Sequence, residues 1–202
     1  MSDTTTAHEQ PLSHHLLTMA YNNAWANHRL LAACSKLTQA DFEQTRTSFF
    51  PSIKATLNHN LTVDWFYVDA LEREARGDLP NPDSGQFFAV KEPLYNVLAL
   101  QRAQADVDQR LLAYCAELRD DQLQREVVIL RASGPKANTR VRLLAHVFQH
   151  QIHHRGQAHA MLAGTSVAPP PLDEFFTTGN AAERASDFAA LGWTEAHVWQ
   201  TR

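Results

Sequence analysis

Four stretches of this sequence, each of 20 or more residues, carry apolar side chains at spacings of three and four. The segments between them are rich in Pro, Gly, Asp and Ser. A helix with an apolar stripe must bury it on another element, so the pattern points to helices packed on helices. The first stretch runs from about Ser13 to Leu37, with Leu17, Tyr21, Ala24, His28 and Leu31 on one stripe. Thr38 to Asp41 reads as a break that caps a further turn. The second runs from about Ser52 to Arg76, with Pro51 in its first turn and Gly77 past its end. It has a main stripe (Ile53, Leu57, Leu61, Asp64, Val68, Leu71) and a second beside it (His59, Val63, Phe66, Ala70). The third runs from about Pro93 to Leu118, with Leu94, Leu98, Ala105, Leu112 and Cys115 expected inward. The fourth runs from about Val141 to Ala163 and stops at Gly164.

Val127 to Leu130 is a short β-rich run, Ser133-Gly134-Pro135 a turn, and Thr139 to Val141 a candidate return strand. After Pro169-Pro170-Pro171 the sequence suggests one short helix, near Ala181 to Leu191, closed by Gly192 and followed by Trp193 and Trp199. The expected fold is all-α. An antiparallel up-down four-helix bundle fills residues 1–176, with a short hairpin between its third and fourth helices. A C-terminal helical extension, residues 177–202, packs on the bundle or on a dimer partner.

Charge narrows the function classes. Eighteen Lys and Arg against 22 Asp and Glu give a net charge of −4, so no basic field argues for nucleic acid. No apolar run approaches the roughly 20 residues of a membrane span, and the polar start (Met1 to Gln10) lacks a signal-peptide core. A cytoplasmic protein without membrane contact is expected. Cys34 and Cys115 are too few and too far apart for a disulfide scaffold or a cysteine-rich zinc finger. Their surroundings read as core, not as those of a reactive thiolate. There is no Glu-x-x-His, His-Glu-x-x-His, Gly-x-Ser-x-Gly or Cys-x-x-Cys, and no Gly-rich nucleotide loop.

What stands out is histidine: 11 in the chain, five of them between His146 and His159. At about 100° per residue, Leu143, Val147, His150, His154, Ala158 and Met161 project within a sector of roughly 80°. Two imidazoles one turn apart on an apolar stripe can grip one ion. The competing reading is a pair of hydrogen-bonded core histidines. His146 and His153 fall on the flank of the stripe and His159 nearly opposite, toward solvent. A catalytic zinc site takes a third protein ligand. Its candidates are His28 on the first helix and His59 on the second, and helical phase favours His28.

Three strings carry a resemblance. The fourth helix reads His150-Gln151-Ile152-His153-His154-Arg155-Gly156-Gln157, the second Leu57-Asn58-His59-Asn60-Leu61-Thr62-Val63-Asp64-Trp65, and the first Tyr21-Asn22-Asn23-Ala24-Trp25-Ala26-Asn27. Together, from about Leu16 to Phe176, they resemble the DinB family of bacterial metal-binding four-helix bundles. The resemblance implies a divalent metal on His59, His150 and His154, in place of the His28 that phase favours. It implies a homodimer, and a small-molecule substrate that includes a low-molecular-weight thiol. Zinc is the expected ion, with nickel or iron as alternatives, since imidazole suits all three.

Around that site, Gln157 is a candidate to hold a ligand or a water. Arg155 is a candidate for an anionic substrate or for a structural ion pair, and Asp64 for orienting an imidazole. Gly156 suggests close approach of another backbone, because glycine costs a helix roughly 1 kcal/mol against alanine. The leading functional expectation is a metal-dependent enzyme, a thiol S-transferase or one with related thiol-dependent chemistry. A metal-dependent hydrolase and a non-catalytic metal- or ligand-binding stress protein are the alternatives. The dimer is expected to form through the second stripe of the second helix and the tail tryptophans.

Overall fold

The structure is a computed structural model and describes residues 10–200. Apart from Gln10, the polar start of the chain lies outside the described residues. Seven helices and one hairpin follow in order: α1 (Leu12–Cys34), α2 (Gln39–Glu43), α3 (Ile53–Arg76), α4 (Val97–Ala116), β1 (Glu126–Arg131), β2 (Gly134–Thr139), α5 (Arg140–Leu162), α6 (Ala181–Leu191) and α7 (Glu195–Trp199). Among these described residues no helix is long and apolar enough to cross a membrane.

Local chemistry sets the ends. Thr38, Ser52 and Asn96 cap α2, α3 and α4, their side chains accepting from the backbone N–H of Asp41, Ala55 and Ala99. Pro51 therefore stands ahead of the cap of α3 and not in its first turn. Gly77, at φ 76°, closes α3 in the left-handed conformation that glycine adopts without strain. The cap at Asn96 also starts α4 later than Pro93. Asn58 holds the preceding chain extended, donating to Leu94 O at 3.0 Å and accepting from Leu94 N at 2.9 Å. The hairpin is antiparallel, its return strand beginning at Gly134 (φ 98°), with Arg131 paired to Gly134 and Glu126 to Thr139.

Helices α1, α3, α4 and α5 form the expected all-α bundle. Each of α1 and α3 packs against both α4 and α5. Their directions differ from strict alternation. Between α3 and α4 the contacts climb together: Asn58 with Leu94, Asp64 with Gln104, Glu72 with Arg110. Those two helices are parallel. Between α3 and α5 the contacts oppose, from His59 with His150 to Glu74 with Arg140. Between α1 and α4 they oppose as well, from Ser13 with Asp120 to Asn23 with Asp108. The bundle is up-down-down-up. A parallel pair needs a long crossover, and residues 77–96 supply it. They run back along α3, where Asn81 donates to Asp69 and Phe87 and Phe88 pack on Phe66.

The inward face of α4 also differs from expectation. Leu98 is 61% exposed and Ala105 is exposed, while Val97, Leu100, Gln104, Val107, Asp108, Leu111, Tyr114 and Cys115 are buried. Two of those positions are polar because the centre of the bundle is a hydrogen-bonded network. Asp108 accepts from Asn23, Asn27 and Gln104, and Asp64 accepts from Gln104 and Gln151. Arg155 donates to Asn23 and Asn27. Burial lifts Asp64 to a pKa of about 6; burial, then the charge of Asp64, lifts Asp108 to about 7. Burial draws Arg155 down to about 10, opposed by those two carboxylates.

The tail docks on the body. Trp25 Nε1 donates to Asp187 at 3.2 Å and Arg29 pairs with Asp187 at 2.8 Å. The Tyr21 hydroxyl meets His197 Nε2 at 2.8 Å, and Trp193 packs edge-on against Tyr21. Trp199 packs on Phe175. Phe66 of the second stripe lies beneath the crossover, and Trp193 and Trp199 meet partners within the chain while staying half-buried. Gly156 has nothing within 4 Å of where a Cβ would stand, so no backbone approaches it closely.

Arg155 is the only cation in the central network, and its removal leaves two buried carboxylates without a counter-charge. We expect Arg155→Met to lower the unfolding free energy in urea by about 3–5 kcal/mol at pH 8. The loss should shrink toward pH 4, below the raised values of both carboxylates, where they are protonated in the folded state and no longer need a counter-charge. A loss independent of pH would show that the guanidinium does not compensate those charges.

Candidate metal centre

The fold brings three imidazoles together. His59 stands in the second turn of α3 and His150 and His154 in the middle of α5, and one donor atom from each falls within 4.8 Å of the others. His59 Nε2 and His150 Nε2 are 3.0 Å apart. Nitrogens on a tetrahedral zinc at 2.0–2.1 Å lie about 3.3 Å from one another, so the set suits a single ion. The donor types agree with this: no other group of three His, Cys, Asp or Glu among the described residues converges this way.

Register explains the meeting. Asn60, next to His59, donates to the side-chain carbonyl of Gln151, next to His150, at 3.0 Å. The Gln151 amide in turn donates to Asp64. This fully buried link fixes the height of α3 against α5. His154 Nδ1 lies 2.8 Å from Gln157 Oε1, and in the tautomer that donates there Nε2 remains free for an ion. Gln157 also reaches His153 Nε2 at 3.1 Å. His150 Nδ1 is buried with no hydrogen-bond partner among the described residues, so packing and the His59 contact hold that ring.

Electrostatics keep the three rings neutral. Burial, then the charge of His154, lowers His59 to a pKa of about 4. Burial, then the neighbouring histidines, lowers His150 to about 3. His154 is also lowered by burial, with the Gln157 contact opposing. A neutral imidazole has its lone pair available to an ion.

The other candidates lie elsewhere. His28 faces the α1–α4 seam among Leu31, Leu112 and Trp193 and does not join the trio. Among the described residues Asp64 reaches no imidazole; it accepts from Gln104 and Gln151 of the central network. Arg155 is buried in that network. Of these residues Gln157 lies against one of the three histidines, His154. His146 and His153 are exposed flank residues, while His159 is half-buried against Pro170 O at 2.9 Å and does not point freely into solvent. Sequence reasoning missed Phe49 and Phe50. The Phe50 ring lies 4.4 Å from that of His59 and 5.4 Å from that of His154. Two aromatics directly before the Pro51-Ser52 start of α3 were the available signal.

A helical bundle that gathers three neutral imidazoles from two of its helices is built like a metal-binding protein. The chain belongs to the DinB family, whose model matches residues 1–185 and so extends into α6. It is similar to Protein DinB of Bacillus subtilis (strain 168), with 25% identity over 158 residues, covering 75% of this chain and 86% of that protein.

Replacing either His150 or His154 by Ala should strip a divalent ion from the purified protein at neutral pH, read by elemental analysis; full occupancy in both variants would end the assignment. Acid gives a second test. The folded rings stay neutral where free histidine, with a pKa near 6.5, takes a proton. Between pH 6.5 and about 4 the unfolded chain therefore binds more protons, and the metal-free fold loses stability as pH falls through that window. We expect half-release of the ion below pH 6.5, with proton uptake. Release without proton uptake would mean that the ligands are not imidazoles.

Proposed function

We propose that the protein holds one divalent ion, zinc before nickel or iron, on His59, His150 and His154, and that it uses this centre for thiol-dependent chemistry of the S-transferase kind. The observation that carries the reading is the convergence of three depressed, neutral imidazoles. An ion on three protein ligands keeps a position open and lowers the pKa of a thiol or water placed there. The chain's own residues then have simple tasks. His59, His150 and His154 fix the position, Gln157 holds the His154 ring, and Phe50 shields the His59 and His154 rings on one side.

A thiol suits these surroundings better than water. Once its pKa is lowered, a thiolate needs no general base. Asp64, which stands near His59 in sequence, is committed to Gln104 and Gln151. The same reading includes a cytoplasmic homodimer, which light scattering at low micromolar concentration decides: a mass near twice 22.7 kDa supports it and a single-chain mass removes it.

The test is consumption of glutathione or cysteine with an activated aryl halide, comparing zinc-loaded protein, metal-free protein and His154→Ala. We expect a rate above background in the loaded protein alone. Equal rates in all three would remove the thiol-transfer reading, and with metal still bound would leave a binding protein.

A further inference from the structure

We propose that Phe49 and Phe50, held beside the three histidines, form an aromatic wall that selects ligands carrying an apolar or aromatic group next to the atom that binds the ion. The proposal rests on the metal reading above and adds the class of molecule that the site accepts.

The geometry of the 44–52 loop carries it. Phe50 lies against the rings of His59 and His154, and Phe49 meets Phe50 edge-on at 4.9 Å and 86°. Phe49 also lies 6.1 Å from the His154 ring, yet it is 76% exposed. Such a phenyl beside a polar centre leaves apolar surface uncovered that a bound group can remove from water. The loop is tied in place. Arg46 N donates to Pro51 O at 2.8 Å, the Arg46 guanidinium donates to the carbonyls of Asp41 and Gln44, and Ser52 caps α3. Those bonds fix both ends of the short segment that presents Phe49. His154 also borders exposed His153, with ring centroids 4.8 Å apart, and Gln157 joins the two histidines. The surroundings of the centre are therefore apolar on one side and polar on the other. Ligand sites commonly have this form, in which polar groups orient and apolar walls select.

The test uses cobalt(II) as a coloured stand-in for the native ion and the full chain. Acetohydroxamate and benzohydroxamate present the same metal-binding head and differ in a methyl against a phenyl. Titrations of the cobalt absorption give both affinities, for the wild type, Phe49→Ala and Phe49→Leu. We expect benzohydroxamate to be favoured about tenfold or more over its preference for cobalt in water, the scale set by burying part of one phenyl. Phe49→Ala should bring the ratio down to the value in water with cobalt content unchanged, and Phe49→Leu should restore part of it. An unchanged ratio in Phe49→Ala overturns the proposal, as does dissociation of a dimer with unchanged affinities, which would make Phe49 a subunit contact. A protein that takes up no cobalt removes the metal reading and the wall with it. A protein that holds cobalt but responds to neither hydroxamate keeps the metal and loses the wall.

Discussion

The link from Asn60 through Gln151 to Asp64 governs the site, because it sets the height of α3 against α5. Asn60 is next to His59 and Gln151 is next to His150, so a slip of one helical turn would part the imidazoles by about 5.4 Å. An amide link resists slipping better than an apolar seam does. Leucines can re-pair one turn along, whereas a buried amide that loses its partner is left unsatisfied. The same reasoning extends across the bundle. Gln104 and Asp108 tie α4 to α3 and α1, and Arg155 ties α5 to α1 through Asn23 and Asn27. The polar centre specifies one arrangement of four helices, and the apolar shell around it supplies most of the burial.

That polar centre also explains which parts of the fold were legible in the sequence. The lengths of α1, α3 and α5, the caps at Thr38 and Gly77, the place of the hairpin and α6 follow from periodicity and turn chemistry, which are local; the return strand, expected at Thr139 to Val141, instead runs over Gly134–Thr139, and α5 starts at Arg140. The inward face of α4 does not. Hydropathy placed Leu98 and Ala105 inside, but the buried positions include Gln104 and Asp108, whose polarity is matched only by residues on other helices. The direction of α4 depends on where residues 77–96 run, and their composition says loop without saying how far along α3 it reaches. Asp64 and Arg155 read as polar residues near the site, but their partners include Gln104 on α4 and Asn23 and Asn27 on α1, which the sequence does not place beside them.

For the candidate site the division is similar. The pairing of His150 with His154 is a matter of spacing along one helix, and the wheel found it. The choice between His59 and His28 is a matter of which helix faces which, and phase within α1 or α3 carries no such information. Resemblance pointed to His59, and the structure places His28 on the α1–α4 seam. Phe49 and Phe50 went unnoticed because they sit in an irregular segment, where no period assigns a face.

Three converging imidazoles, one buried and two half-buried, are an awkward group for a protein without an ion, because His150 Nδ1 has no hydrogen-bond partner among the described residues and all three rings are held below their ordinary values. The central claim is that an ion completes this group on His59, His150 and His154. X-ray absorption at the metal edge of zinc-loaded protein tests it most directly. The account predicts three imidazole nitrogens at about 2.0–2.1 Å with at least one further light ligand from outside the chain. A shell containing sulfur, or one made mainly of carboxylate oxygens, would contradict it.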